Sequence, residues 1–180
     1  MDLSADQAAP GMPPALRFTI DEACTRARAM AAQAMPLHQA LTCLVAADEE
    51  LSGETASILV LDRDGLLRNG ASPNLPRDYL DAIDRLKPAP DLGTCAAAAA
   101  TGEIVLTPDF ESDGKWAELK HLPLSIGYRG AWSMPIKDSR GRVLGTFGTY
   151  YPDRRSPDAR EMRAVARLVA LAATEPERAF

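Results

Sequence analysis

Gly93-Thr94-Cys95-Ala96 opens a run of five alanines, Ala96–Ala100, and is the stretch of this sequence best suited to chemistry. Alanine is the strongest helix former, and a Gly-Thr pair ahead of it supplies a turn and a cap. The first N–H groups of a helix lack intrahelical acceptors and carry the positive end of its dipole, so they form a ready anion site. Small side chains let a ligand reach that backbone. The same residues also make an ordinary capped helix with no ligand. Asp91, two residues upstream, opposes an anion if it faces the site. Cys95 sits where a helix start lowers a thiol pKa and makes a nucleophile. The reading we favour for Cys95 is a small buried residue, since unpaired cysteines are among the most buried side chains.

Other chemistry is sparse. The three cysteines (Cys24, Cys43, Cys95) are far apart, and the two histidines (His38, His121) are unclustered. No C-x-x-C or H-E-x-x-H spacing offers a metal site, and neither metal nor cofactor is expected. There is no nucleophile elbow, phosphate loop or dinucleotide-binding glycine pattern. Carboxylates are frequent but are expected in turns and on helix surfaces. No catalytic residue is assigned.

Composition narrows the function further. The net charge of −5 and the absence of a basic stripe disfavour nucleic acid and anionic membranes. No apolar run approaches the roughly 18 residues of a membrane span, and the first residues lack a signal-peptide pattern. An odd, scattered cysteine set points to a reducing cytoplasm. Hydrophobic residues at 46% suffice for a real core.

The elements that must position the Gly93 segment follow from periodicity. Residues 1–16, rich in Ala and Pro, are expected to be a disordered tail, and residues 17–180 a single domain with its core at 37–175. Thr19 to Glu22 is a capping box, so a helix is expected to start there. Pro36 either interrupts that helix or starts a second. Leu37, Ala40, Leu41, Leu44 and Val45 form a helical stripe ending at Ser52-Gly53. Thr55–Leu61 and Leu66–Ala71 read as strands around an Asp-Arg-Asp-Gly turn. Tyr79, Leu80, Ile83 and Leu86 give a short helix. Glu103–Leu106 is a strand, and a helical turn is expected at Lys115–His121. Gly130–Lys137 and Val143–Tyr151 are a hairpin. The last helix is expected to start at Ser156-Pro157. The order gives an α+β fold, an antiparallel sheet of five or six strands flanked by helices.

Five blocks go beyond that generic order: Ser57–Gly65, Leu92–Ala98, Thr101-Gly102-Glu103, Ala131–Ile136 and Gly141–Phe147. Together they resemble a GAF domain, of the subgroup seen in bacterial sensory kinases and cyclic-dinucleotide enzymes. That subgroup carries a G-S-C-G-T-A-A helix start, a D-P-L-W stretch, a C-W-S-x-P-I strand and G-x-V-L-G-T-F. The resemblance spans about residues 37–175. Departures are Ala96 for a usual Gly, Ala131 for a usual Cys or similar small residue, and Asp113-Gly114-Lys115-Trp116 for D-P-L-W.

The resemblance implies a GAF/PAS-like sheet with terminal helices on one face and short helices and loops enclosing a ligand pocket on the other. The expected walls are residues 67–71, 92–96, 110–128 and 131–135. Candidate ligand contacts are Gly93, Thr94, Cys95, Ala96, Trp116, Tyr128, Ala131, Trp132 and Ser133. Strand alternation allows either Trp132, or Ala131 and Ser133, to face the pocket. Trp116 reads more as an anchor for the long loop. Arg129 could neutralise an anion but is more often a surface charge. Stand-alone receptors of this family for small oxyanions make nitrate the specific expectation. A homodimer through the terminal helices and a separate output partner, a histidine kinase or a transcription regulator, are also implied. One family branch reduces free methionine sulfoxide with several cysteines near the pocket; Cys95 falls near one of those positions, and the loop before it and the 101–130 stretch, where the others should lie, lack Cys. A ligand-free dimerisation or docking module is the remaining alternative. His121 alone does not suggest haem, no Cys precedes it for a bilin, and the N-K-F-D-E pattern of cyclic-nucleotide binders is absent.

Overall fold

A computed structural model describes residues 14–33 and 36–174. Helix α1 runs Pro14–Ala32 and α2 Leu37–Ser52. Residues 1–13 of the expected tail lie outside the described residues, but 14–16 belong to α1. The described part of this helix already runs from Pro14, so Thr19 lies inside it rather than at its cap. Pro36 is the N-cap of α2, and Gly53 ends that helix at φ +73 with its N–H on Glu49 O.

Strands β1 (Thr55–Leu61) and β2 (Leu67–Ala71) form the first hairpin. Its turn is held by Asp62 Oδ1, which accepts the N–H groups of Asp64 and Leu66, both at 2.9 Å. Helix α3 (Arg77–Ile83), α4 (Gly93–Thr101) and β3 (Val105–Thr107) follow. The long segment holds a 3-10 turn at Gly114–Trp116 and α5 (His121–Ser125), which bracket the expected Lys115–His121 turn. Strands β4 (Gly130–Lys137) and β5 (Val143–Tyr151) close the sheet, in the order β2-β1-β5-β4-β3, every pair antiparallel.

Helix α6 spans Ala159–Ala172, later than expected. Asp158 caps it: its carboxylate accepts Arg160 N–H and Glu161 N–H, while Glu161 accepts Asp158 N–H in return. That reciprocal box satisfies three backbone donors, so Ser156-Pro157 stays outside the helix.

The sheet divides two cores by its period of two. Ile58, Trp132, Met134, Ile136, Phe147 and Tyr151 meet Ile20 and Ala27 of α1, Leu41, Leu44 and Val45 of α2, and Val165 and Leu168 of α6. Burying each large aliphatic contributes about 1.5–3 kcal/mol, well above the tenths available from helix propensity, so packing seats these helices. The opposite face carries Leu59, Ala131 and Tyr150 against Tyr79 and Ile83 of α3, Cys95, Ala96 and Ala99 of α4, and Phe110 and Trp116.

Candidate functional site

Helix α4 lies directly on β4 and β5, with every residue from Gly93 to Ala99 buried. Its alanines allow that approach, since they add almost no bulk between helix and sheet. Gly148 of β5 completes the fit: a Cβ there would stand 3.0 Å from Cys95 Sγ and 3.4 Å from Ser57 Oγ. Gly93 starts α4 at φ +69, and no side chain caps the helix.

Trp116 covers this helix start. Its ring stands 3.5 Å from where a Gly93 Cβ would lie, and it packs edge-on to Phe110 at 4.5 Å. The indole N–H donates to Thr94 Oγ1 at 2.9 Å, and Thr94 donates onward to Thr107 Oγ1 at 3.1 Å. The Thr94 hydroxyl thus both accepts and donates, and the Trp116 segment is latched to α4.

Beneath the indole, a cavity of about 20 Å³ is bounded by Gly93–Ala96, Trp116, Leu119, Ala131, Tyr79 and Tyr150. That volume holds about one water molecule. Tyr79 OH donates to Tyr150 OH at 3.3 Å. Burial holds both phenols above their usual range, so each stays protonated. A larger open groove of about 720 Å³ lies between the two hairpin turns. Its carboxylates, Asp62 and Asp138, are occupied by the N–H groups of their own turns, so it offers no built site.

The Cys95 thiol is buried, and burial pushes its pKa up despite the nearby hydroxyls of Ser133, Thr146 and Tyr150. Ser133 donates to Cys95 Sγ at 3.4 Å. The thiol is therefore not activated, because desolvation outweighs the hydroxyls that would lower its pKa. Cys24 lies in the helix-side core, and Cys43 Sγ is 3.4 Å from Met30 Sδ. Both are across the sheet from Cys95.

The sequence profile of the GAF domain family matches residues 34–174. This chain belongs to the GAF domain family. It is 31% identical over 131 residues to a methyl sulfide methyltransferase-associated sensor of Methanosarcina acetivorans, covering 72% of this chain and 13% of that much longer protein. The GAF domain of an Acinetobacter phosphoenolpyruvate-protein phosphotransferase superposes with a TM-score of 0.71 at 16% identity, over 93% of this chain and 96% of that one. A free methionine-R-sulfoxide reductase from Neisseria meningitidis, solved with its substrate, gives 0.68 at 17% identity, over 90% and 88%. At those identities the two structures show the shared fold.

Within this GAF domain the sequence candidates separate. Gly93, Thr94, Cys95, Ala96, Trp116 and Ala131 meet at the cavity. Ser133 lies behind Cys95, and its hydroxyl is 3.2 Å from Phe147 O. Tyr128 packs on Tyr150 at 5.5 Å and donates to Thr55 Oγ1, beside the cavity rather than in its wall. The Trp132 side chain packs in the helix-side core, so only its main chain is left to border the cavity. Ala131 and Ser133 take the pocket face instead, as strand alternation requires once Trp132 is on the other side. Arg129 is exposed and pairs with Glu111 at 3.7 Å, and His121 and Asp91 are exposed. Tyr79 and Tyr150 were not anticipated. Tyr150 was within reach, because it shares a face with Gly148 two residues earlier; Tyr79 had only its place on the apolar face of a short helix.

Proposed function

We propose that this GAF domain is a sensory module acting in the cytoplasm, whose ligand enters between the start of α4 and Trp116, and that the ligand is a small anion such as nitrate. One observation carries the reading: every polar side chain lining the cavity (Tyr79, Thr94, Cys95, Trp116, Tyr150) can donate a hydrogen bond, and no carboxylate lines it. The free N–H groups of α4 point the same way. No Lys or Arg lines the cavity, so the helix start supplies about 0.3–1 kcal/mol of charge attraction and the affinity belongs in the millimolar range.

The cavity must widen to admit nitrate. Breaking the Trp116–Thr94 hydrogen bond frees both the lid and the Thr94 hydroxyl. Lid movement then biases the conformation seen by a partner, a histidine kinase or a transcription regulator, with a homodimer through the terminal helices as the carrier. The relative from Methanosarcina acetivorans, a sensor, supports a sensory role. We assign no catalysis to Cys95, because its thiol is buried with a raised pKa and neither other cysteine shares its side of the sheet.

A ligand-free dimerisation module is the second reading, favoured by the small cavity. Calorimetric titration with nitrate, chlorate and bicarbonate, with urea as a neutral planar control, separates the two. Saturable heat for an anion at millimolar concentration, and none for urea, is expected. Flat titrations for all anions to tens of millimolar would remove the anion reading and leave the ligand-free one.

A further inference from the structure

Asp48 of α2 is 3% exposed, contrary to the expectation that carboxylates occupy turns and helix surfaces. It faces Thr149 of β5, whose cross-strand partner on the same face is Trp132 of β4. Asp48 Oδ2 and Thr149 Oγ1 meet here without a well-formed hydrogen bond, and Trp132 Nε1, which lies toward the Tyr151 hydroxyl, is without one too. Such orphaned atoms in a core are costly, and an ionised carboxylate among them is costlier still.

The surrounding charges add to that cost. Glu161 of α6, Glu49 of α2 itself and Glu54 at the head of β1 all act on Asp48 with like charge. Arg155, the base in this cluster, is committed to Glu54 at 3.0 Å and Glu161 at 2.8 Å and lies over the Tyr151 ring at 3.7 Å. Tyr151 OH in turn donates to Glu161 at 3.2 Å. From α1 the core receives Ile20, Ala23 and Ala27, while Asp21 pairs with Arg167 and Glu22 with Arg26. β2 presents Ala71.

We propose that Asp48 is a proton-operated latch, seating α2 on the sheet when protonated and loosening the α2–α6 layer when ionised. The latch lies across the sheet from the ligand cavity, so it gives the helix layer an input independent of the ligand. Burial, reinforced by the three glutamates, raises Asp48 to about 7, while the Thr149 hydroxyl lowers it. An unfolded Asp titrates near 3.9, so between about 4 and 7 the folded state binds the extra proton. The stability present below about 4 is therefore lost progressively as pH rises, and the loss is complete once pH passes about 7.

Fluorine NMR of the full chain labelled with 5-fluorotryptophan reads the latch at Trp132. His38 and His121 are both replaced by glutamine in every variant, so that no imidazole contributes to the readout. The Trp132 resonance should shift between pH 5.5 and 8.5 with a midpoint near 7. Asp48→Asn should abolish that shift and reduce the Tm difference between pH 5.5 and 8 by about 5 °C. Thr149→Val should move the midpoint up, and it keeps the test open where Asp48→Asn does not fold. A flat Trp132 resonance in the parent, a titration that persists in Asp48→Asn, or an unmoved midpoint in Thr149→Val overturns the proposal.

Discussion

Gly145→Ala is expected to melt at least ~6 °C below the parent protein, a loss of about 3 kcal/mol at the 2–4 °C per kcal/mol typical of this size. Gly145 pairs with Val60 of β1 and Ile136 of β4, at the centre of the sheet. A Cβ there would stand 2.2 Å from Leu59 O and 3.1 Å from Val60 Cα. Both are backbone atoms, so no rotamer change relieves the clash and β1 must move off β5. Overpacking costs typically about 1–3 kcal/mol, and a main-chain obstacle belongs at or beyond the top of that range. Gly114→Ala is the control: nothing lies within 4 Å of its Cβ, so it should change stability by less than about 0.5 kcal/mol. Thermal melts by circular dichroism check both. A Gly145→Ala protein melting within about 2 °C of the parent would show that the β1–β5 approach is looser than described.

Trp116→Ala should cost about 3 kcal/mol, the low end for a buried tryptophan because the segment around it can relax. The loss combines the edge-on contact with Phe110, the cover over Gly93 and the hydrogen bond to Thr94. Trp116→Phe isolates the last of these. It keeps a ring but removes the latch, so stability falls by about 1 kcal/mol. If lid opening precedes binding, easing it by that amount tightens an anion about fivefold. Denaturant melts and calorimetry give the two readouts. A Trp116→Ala protein as stable as the parent would mean that this residue does not hold the segment. A Trp116→Phe protein that binds more weakly would make the indole N–H a ligand donor instead of a latch.

Much of the fold was readable locally. The stripe from Leu37 to Val45 and the apolar runs around Asp62-Gly65 and Asp138-Gly141 carry their own periodicity and turn chemistry. Boundaries were less readable: Asp158 prevailed as a cap over Ser156-Pro157, and Thr19 fell inside a helix. The site was half visible. Helix α4 shows itself by Gly-Thr followed by alanines. The Tyr79–Tyr150 bond joins residues 71 apart, which no local pattern encodes. Alternation on β4 restricted Trp132 to one face but could not say which, because that depends on how α1, α2 and α6 pack. Asp48 sits in an Ala-Ala-Asp-Glu-Glu run that reads as a solvated helix end, and only tertiary packing buries it.

The central claim, that the start of α4 and the Trp116 segment form the sensing site, is tested most directly by amide chemical shifts. Nitrogen-15 spectra would be recorded as nitrate is added to the full chain. The largest, saturable perturbations are predicted at Gly93–Ala96 and across residues 113–119, with smaller ones at Tyr79 and Tyr150. Saturable shifts confined to the hairpin groove or the terminal helices, with Gly93–Ala96 unmoved, would contradict the account.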